Sequence, residues 1–149
     1  MIGAMILRRV VRSGFESMNR GDADSLLANW ADDVIFDYPS AMWVGGTAKG
    51  KKTIAEGFRM AWEEFPKRKF TVKNICIREA FPLLSLLIGT YVVMADWTCE
   101  ETSKEGKELK WDGVTVIHGR RGKLVHVTDY ISFNGLPQLS TLIKATGKA

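Results

Sequence analysis

The chain has 149 residues, of which 46% are hydrophobic and 26% are charged, proportions that are ordinary for a soluble globular protein. They exclude disordered, collagen-like and coiled-coil proteins. The formal net charge is +4, but the basic residues lie in small scattered groups, so we expect no nucleic-acid-binding face. At this length we expect one domain over residues 1–149.

The cysteines and the apolar stretches exclude further classes of protein. Cys76 and Cys99 are too few for a disulfide framework, and no cluster of His, Cys and Asp has the spacing of a zinc site. The longest apolar stretch, residues 81–95, is too short and too interrupted to cross a membrane. The N-terminus lacks the basic region of a secretory signal. We therefore expect a cytoplasmic protein with no metal and no other cofactor.

Two helices are predicted at the start of the chain. Apolar residues recur every three or four positions from Leu7 to Met18, with charged residues between them, which indicates an amphipathic helix. We expect Gly21 to end this helix and Asp22 to cap a short second one.

A strand, a glycine-rich segment and a third helix follow. Residues 34–38 form a β-rich run that a proline stops. Residues 40–50 contain three glycines, so we expect a loop or a ragged hairpin there. Thr53 and Glu56 have the spacing of a capping box, which predicts that the third helix begins at this point.

The second half of the chain is rich in β-forming residues. Short connections separate four runs, as is typical of antiparallel neighbours; the runs cover residues 70–80, 86–99, 109–118 and 124–133. A last short helix is expected over residues 137–144. This order of elements predicts an α+β fold: a cone-shaped, curved antiparallel sheet with helices packed on its concave face, enclosing a pocket for a small molecule.

Three aspartates, Asp96, Asp112 and Asp129, interrupt these strands, where aspartate is disfavoured. If the last hairpin turns at residues 120–121, Asp112 lies opposite Asp129. If the preceding hairpin turns at Lys104, Asp96 lies opposite Asp112. The three carboxylates would then form one row on one face of the sheet.

Such a row in a poorly solvated pocket suits acid–base chemistry. Carboxylates on side chains about 4.5–5.5 Å apart repel one another, so at least one should hold its proton near neutral pH. A protonated acid can donate to a developing oxyanion while an ionised neighbour takes a proton. We expect Asp129 to be the general acid or base, Asp112 the proton-holding donor, and Asp96 the group that shares this proton or activates water.

The alternation of the strands assigns the pocket lining. With the aspartates inward, Met94, Val114 and Val127 also point inward and are expected to contact the substrate. We expect Tyr38, at the end of the first strand, to be a phenolic donor at the pocket mouth, and Trp43 to cover a hydrophobic ligand.

The opposite face of the sheet would then carry Trp97, Trp111 and Tyr130. An exposed apolar face of that size indicates a homodimer interface. His126 has the opposite parity to Asp129 and is expected to point away from the pocket. The alternative is that the aspartates face solvent and the three aromatic residues point into the core.

Motifs spread over nearly the whole chain carry a family resemblance. They are residues 21–24 (Gly-Asp-Ala-Asp), residues 30–34 (Trp-Ala-Asp-Asp-Val), Tyr38 with Pro39, residues 46–50 and residues 122–130. In these motifs the sequence resembles the nuclear transport factor 2-like superfamily, the group of SnoaL-like polyketide cyclases, ketosteroid isomerases and limonene-epoxide hydrolases. The resemblance implies a fold shared by many enzymes and non-enzymes.

The resemblance implies different roles in different branches of the superfamily. Asp129 matches the acid–base aspartate of SnoaL-like cyclases. Asp112 matches the oxyanion-binding acid of ketosteroid isomerases, whose catalytic base falls at Tyr38. Asp96 and Asp129 match the two acids of the epoxide hydrolases, whose linking arginine falls at Met94. The chain thus keeps a carboxylate from each branch and the whole set from none.

These observations predict a cofactor-independent enzyme that acts on an apolar, oxygenated small molecule such as a polyketide, terpenoid or steroid-like compound. The reaction would be a proton transfer that cyclises, isomerises or dehydrates this substrate. Two alternatives stay open: a non-catalytic protein of the same fold that binds a small molecule, and an epoxide hydrolase-like enzyme.

Overall fold

The computed structural model describes residues 2–39, 46–79 and 89–132. Its helices are α1 (Ile2–Arg20), α2 (Ala23–Leu27) and α3 (Lys51–Glu64). Its strands are β1 (Trp30–Tyr38), β2 (Gly46–Lys49), β3 (Lys67–Glu79), β4 (Thr90–Thr102), β5 (Glu108–Arg120) and β6 (Lys123–Ser132). The predicted helix over residues 137–144 lies outside the described residues.

The strands form one six-stranded sheet in the order β2-β1-β6-β5-β4-β3. Neighbouring strands are antiparallel except β1 and β6, which run parallel. The sheet is therefore mixed and not wholly antiparallel. The long connection between β1 and β6, which contains α3 and four strands, permits this parallel pairing, which a short hairpin could not make. The predicted α+β fold with helices packed against a sheet is confirmed.

The helix ends follow from local chemistry. The Asp22 side chain accepts a hydrogen bond of 3.0 Å from the Ser25 backbone N–H, so the predicted cap of α2 is confirmed. The predicted capping box at Thr53 is wrong, because α3 begins at Lys51 and has Gly50 at its N-cap, with no side-chain cap. The positive φ of 86° at Gly50 suits glycine and lets the helix start earlier.

The strand registers decide which side chains face the helices. Asp96 lies opposite Val114, two positions from Asp112, so these two aspartates share one face of the sheet. Asp129 lies opposite Thr115, and so it projects from the other face. The predicted row of three opposed carboxylates is therefore wrong.

A β-bulge at the start of β6 causes this difference. The hairpin turns at Arg121 and Gly122, whose φ angles of 51° and 74° suit a tight two-residue turn. This turn lies one residue later than predicted, which by itself keeps every residue of β6 on its predicted face. Val125 then adds an extra residue, because the register shifts between Leu124 and His126. A shift of one residue sends all the following side chains to the opposite face.

The core lies on the face of the sheet that the helices cover. Trp97 and Trp111 are buried there, and their predicted place on the outer face is wrong. The helices cover the face of β4 and β5 that carries these two indoles, so Asp96 and Asp112, at the alternate positions, point to the outer face. Tyr130 does lie on the outer face, as predicted, with 61% of its surface exposed.

The ring of Trp97 packs directly against Gly113 in this core. A Cβ added to Gly113 would lie 2.5 Å from the ring of Trp97, which covers this glycine. We expect Gly113→Ala to lower the free energy of unfolding by about 1–3 kcal/mol, because the indole has to shift. Gly57→Ala in α3 is the matched control, since a Cβ there meets nothing within 4 Å. That change should raise stability by about 0.5–1 kcal/mol. Urea unfolding of both variants measures the two effects, and equal values would contradict the packing of Trp97.

Candidate active site

Two adjoining cavities lie between the helices and the sheet, with volumes of about 80 and 100 Å³. Both are lined by the same group of mostly aromatic residues around one acid: Met18, Phe36, Phe58, Phe70, Trp97 and Asp129. The first cavity continues along α1 and the second toward α3. Asp129 thus stands where an apolar ligand in either cavity would meet it.

A chain of two hydrogen bonds fixes the carboxylate of Asp129. The Thr115 hydroxyl donates to Asp129 Oδ1 over 2.5 Å. The Trp97 indole N–H donates to the Thr115 oxygen over 2.8 Å. An indole nitrogen can only donate, so it occupies an acceptor position of the hydroxyl and leaves the hydroxyl proton for Asp129. The second carboxylate oxygen, Oδ2, is then the one that can exchange a proton with a ligand.

Burial changes the acidity of this carboxylate. Removal from water raises the pKa of Asp129 to about 7, while the hydrogen bond from Thr115 acts in the opposite direction. Near neutral pH both the charged and the protonated forms are populated. The same residue can therefore accept a proton or donate one, which is what a general acid–base catalyst requires.

A second polar group lies in the cavity toward α3, which Tyr38, Arg68 and Glu101 help to line. The Glu101 carboxylate lies 3.7 Å from Arg68 Nε, and the Trp111 indole N–H donates to its other oxygen over 3.1 Å. Burial raises the pKa of Glu101, and Arg68 and Trp111 oppose that rise. Burial also raises the pKa of Tyr38, so its hydroxyl keeps its proton.

Asp96 and Asp112 lie on the outer face and do not reach this site. The Lys73 ammonium is 2.6 Å from an Asp112 oxygen and 4.0 Å from an Asp96 oxygen. The hydrogen bond from Lys73 lowers the pKa of Asp112, so this carboxylate is ionised rather than proton-holding. Neither aspartate can share a proton with Asp129, because the sheet stands between them.

The predicted substrate contacts divide in the same way. Tyr38 and Val127 line the cavities. Met94 is 48% exposed on the outer face. Val114 lies on the same face, because it is two residues from Asp112 and β4 and β5 pair without a bulge. Trp43 lies outside the described residues.

His126 points away from the pocket, as predicted, and binds Asp37 across β1 and β6.

Sequence reasoning did not identify Thr115, Arg68 or Glu101 as site residues. Thr115 could have been found from the register with Asp129, had the bulge been placed. Arg68 and Glu101 lie opposite each other in the antiparallel β3–β4 pair, and the sequence alone did not fix the register of that pair.

Within residues 2–39, 46–79 and 89–132, no group of three or more His, Cys, Asp and Glu side chains is placed to hold a metal ion. None of the helices in these ranges has the length and apolarity that a membrane-spanning segment requires.

Comparison with known proteins places the fold. A sequence model of the SnoaL-like domain matches residues 11–127. No curated protein matches the chain significantly.

Solved structures resemble the chain over nearly its whole length. An NTF2-like protein of unknown function from Burkholderia pseudomallei has a TM-score of 0.72 and 19% identity, covering 92% of this chain and 94% of its own. A proposed polyketide cyclase from Xanthomonas campestris has a TM-score of 0.66 and 19% identity, with 91% and 95% covered. A proposed isomerase from Bacillus subtilis has a TM-score of 0.67 and 19% identity, with 95% and 92% covered. At these identities the likeness is one of fold.

The raised pKa of Asp129 predicts an unusual dependence of stability on pH. The unfolded chain releases this proton near pH 3.8 and the folded protein near pH 7, so the folded state binds more protons in between. Stability should therefore fall as the pH rises through that window and level off above it. Asp129→Asn removes the effect, so its stability relative to the parent should rise by on the order of 4 kcal/mol from pH 4 to pH 8.

Urea unfolding at a series of pH values measures this difference. Asp112→Asn is the matched control, because its lowered pKa gives the opposite sign. Asp112 stabilises the fold above the ordinary aspartate pKa and loses that contribution as the pH falls. A pH-independent difference between Asp129→Asn and the parent would show that Asp129 is solvated.

Proposed function

Because this chain belongs to the SnoaL-like domain family, we propose that it is a cofactor-independent enzyme in which Asp129 transfers a proton on a small molecule. The family and fold are those of small-molecule cyclases and isomerases. The observation that carries the proposal is a single carboxyl group with a pKa of about 7 at the junction of two apolar cavities.

The lining supports an apolar, oxygenated substrate such as a polyketide, terpenoid or steroid-like compound. Aromatic side chains on α3, β1, β3 and β4 offer flat apolar surfaces, which suit rings or conjugated chains. Polar groups stand within this lining, with Asp129 where the cavities adjoin and Tyr38, Arg68 and Glu101 in the cavity toward α3; they can orient such a molecule. Cyclisation, isomerisation and dehydration all need the removal of a proton from carbon and its return elsewhere.

The proposed step uses one carboxylate instead of three. Asp129 Oδ2 takes a proton from a carbon next to a carbonyl group, and the electron pair of the broken C–H bond moves to the carbonyl oxygen. Thr115 holds the carboxylate in place through Oδ1. The electron pair on the oxygen then re-forms the carbonyl group. In an isomerisation the protonated Asp129 gives its proton to another carbon of the enolate; in a dehydration it gives the proton to a hydroxyl group, whose C–O bond breaks so that water leaves. Asp96 and Asp112 have no part in this step, because they lie on the outer face.

The same geometry weighs against the epoxide hydrolase-like alternative. That reading needs Asp96 and Asp129 in one site, and the two side chains leave opposite faces of the sheet. Non-catalytic binding of a small molecule is the remaining alternative, and a measurement of proton transfer separates it from catalysis.

Exchange of carbon-bound hydrogen tests the proposal directly. Acetophenone incubated with the protein in D₂O should gain deuterium in its methyl group faster than in buffer, because Asp129 removes and returns a proton there. Asp129→Asn should reduce this enzymatic exchange at least 100-fold, within the range that general acid–base groups supply. Asp112→Asn should leave it unchanged. Binding of acetophenone in the cavities without exchange above the buffer rate would support the non-catalytic alternative. NMR integration of the methyl signal gives the rates.

A second prediction concerns Thr115. Thr115→Val removes the hydrogen bond that lowers the pKa of Asp129, so the pH at which exchange reaches half its maximum should move upward. The rate at the plateau should also fall, because the carboxylate loses its orientation. Thr115→Ser keeps the hydroxyl and should keep the parent pH profile. Identical profiles for Thr115→Val and the parent would contradict the role of this hydrogen bond.

We further propose that the protein is a cytoplasmic homodimer that buries the outer face of the sheet. Met94 and Tyr130 expose apolar surface there, which supports an interface but with fewer aromatic residues than the sequence predicted. Tyr130→Asp should give a monomer in light scattering at micromolar concentration. Met60→Asp, on the exposed side of α3, should leave the mass unchanged. A monomeric parent protein would contradict this part.

A further inference from the structure

The buried guanidinium of Arg68, in the wall of the cavity toward α3, has one hydrogen-bond donor without a partner in the part of the chain that the structure describes. Arg68 lines this cavity together with Asp129, and its side chain is only 5% exposed. Within the described residues, its Nε is buried and has no hydrogen-bond partner. A buried donor without a partner costs free energy, so its presence in a cavity wall points to a ligand that supplies the acceptor.

The rest of the guanidinium is held firmly. Arg68 Nη2 donates to the Ala61 and Phe65 carbonyl oxygens over 3.0 and 2.9 Å, at the end of α3. The guanidinium also lies over the Trp62 ring, 5.6 Å from its centre. These contacts fix the plane of the group, while the buried Nε–H has no hydrogen-bond acceptor among the residues that the structure describes. The arginine is thus anchored in the cavity wall with one donor unsatisfied, and a fixed donor of this kind is a preorganised binding group.

Glu101 limits what kind of ligand this donor can take. Its carboxylate lies 3.7 Å from Nε, beyond hydrogen-bond distance but close enough to balance the charge. Glu101 is only 14% exposed, so its charge is weakly screened. A ligand carboxylate would add a second negative charge beside it, whereas a neutral carbonyl oxygen would accept the N–H without that repulsion.

We propose that Arg68 Nε–H binds the carbonyl oxygen of the substrate, with Asp129 acting on the adjacent carbon. This inference rests on the proposed function and adds to it the group that holds the oxygen. As Asp129 takes the proton from carbon, the electron pair reaches the carbonyl oxygen and forms an enolate. Arg68 donates to that oxygen throughout, and no electron donor or acceptor is needed. The substrate class is therefore a neutral, enolisable ketone.

The Nε–H proton of Arg68 reports on this contact directly by NMR of the ¹⁵N-labelled protein. Acetophenone should shift the Arg68 Nε–H resonance downfield. α-Methylstyrene has a CH₂ group in place of the oxygen; it should shift methyl signals of Val127 and Ile117, which line the adjoining cavity, but leave the Nε–H signal unmoved. Benzoate should bind more weakly than acetophenone. Arg68→Lys assigns the resonance by removing it.

Affinity gives a second readout that does not depend on the resonance. Arg68→Lys keeps the charge but loses the Nε–H, and should weaken acetophenone binding about tenfold while leaving α-methylstyrene binding unchanged. Arg59→Lys is the matched control, since Arg59 lies on the exposed side of α3 and pairs with Asp24. It should change neither affinity. If Arg68→Lys does not fold, the affinities of the parent protein for acetophenone and benzoate still decide, because they need no resonance assignment.

The outcomes separate the two proposals. If both probes shift the cavity methyl groups and neither shifts the Arg68 Nε–H signal, Arg68 does not bind the oxygen, and acid–base chemistry at Asp129 can still hold. Tighter binding of benzoate than of acetophenone would also overturn the assignment of a neutral ketone. If neither probe shifts any cavity signal, the cavity does not take such molecules, and both proposals fail.

Discussion

The position of Asp129 inside the fold depends on one extra residue in a strand. Val125 forms a β-bulge at the start of β6, and the bulge turns Asp129 toward the helices. Without it, Asp129 would leave the same face of the sheet as Asp112 and would lie in solvent. The tight turn at Arg121 and Gly122 fixes where the bulge occurs, since both residues have the positive φ angles that such a turn needs.

The side chains around Asp129 on the covered face of the sheet determine the pKa and the orientation of its carboxylate. Aromatic residues from four elements keep water away and raise the pKa of Asp129 to about 7. Thr115 and Trp97 offset part of this cost and hold the carboxylate in one orientation. The ionised form is destabilising for the fold at neutral pH, and the same destabilisation increases the affinity of the carboxylate for a proton. Arg68 and Glu101 form a second polar pair in the wall of the cavity toward α3, where their opposite charges balance.

Local patterns in the sequence were sufficient to predict the helices and strands, but not to predict which face of the sheet each side chain occupies. The apolar period predicted α1, and Asp22 predicted the cap of α2. The β-rich runs predicted the four later strands. The short motifs spread along the chain carried the family resemblance, and the SnoaL-like match confirms that resemblance. The faces of Asp96 and Asp112 were predicted wrongly because both faces of β4 and β5 carry apolar residues, and alternation alone does not show which face the helices cover. Asp129 was predicted to share the face of Asp112 because a bulge leaves no mark in hydrophobic alternation. Arg68 and Glu101 lie opposite each other in the β3–β4 pair, and the sequence did not fix the register of that pair.

The proposed proton transfer depends on the pKa of the Asp129 carboxyl group in the folded protein. A ¹³C NMR titration of the aspartate carboxyl carbons measures it, with Asp129→Asn to assign the signal. The structure predicts a midpoint of about 7 for Asp129 and, for Asp112, a midpoint below the ordinary value of 3.8. A midpoint for Asp129 near the ordinary value would show a solvated carboxylate, and would contradict both its burial and its proposed role in proton transfer.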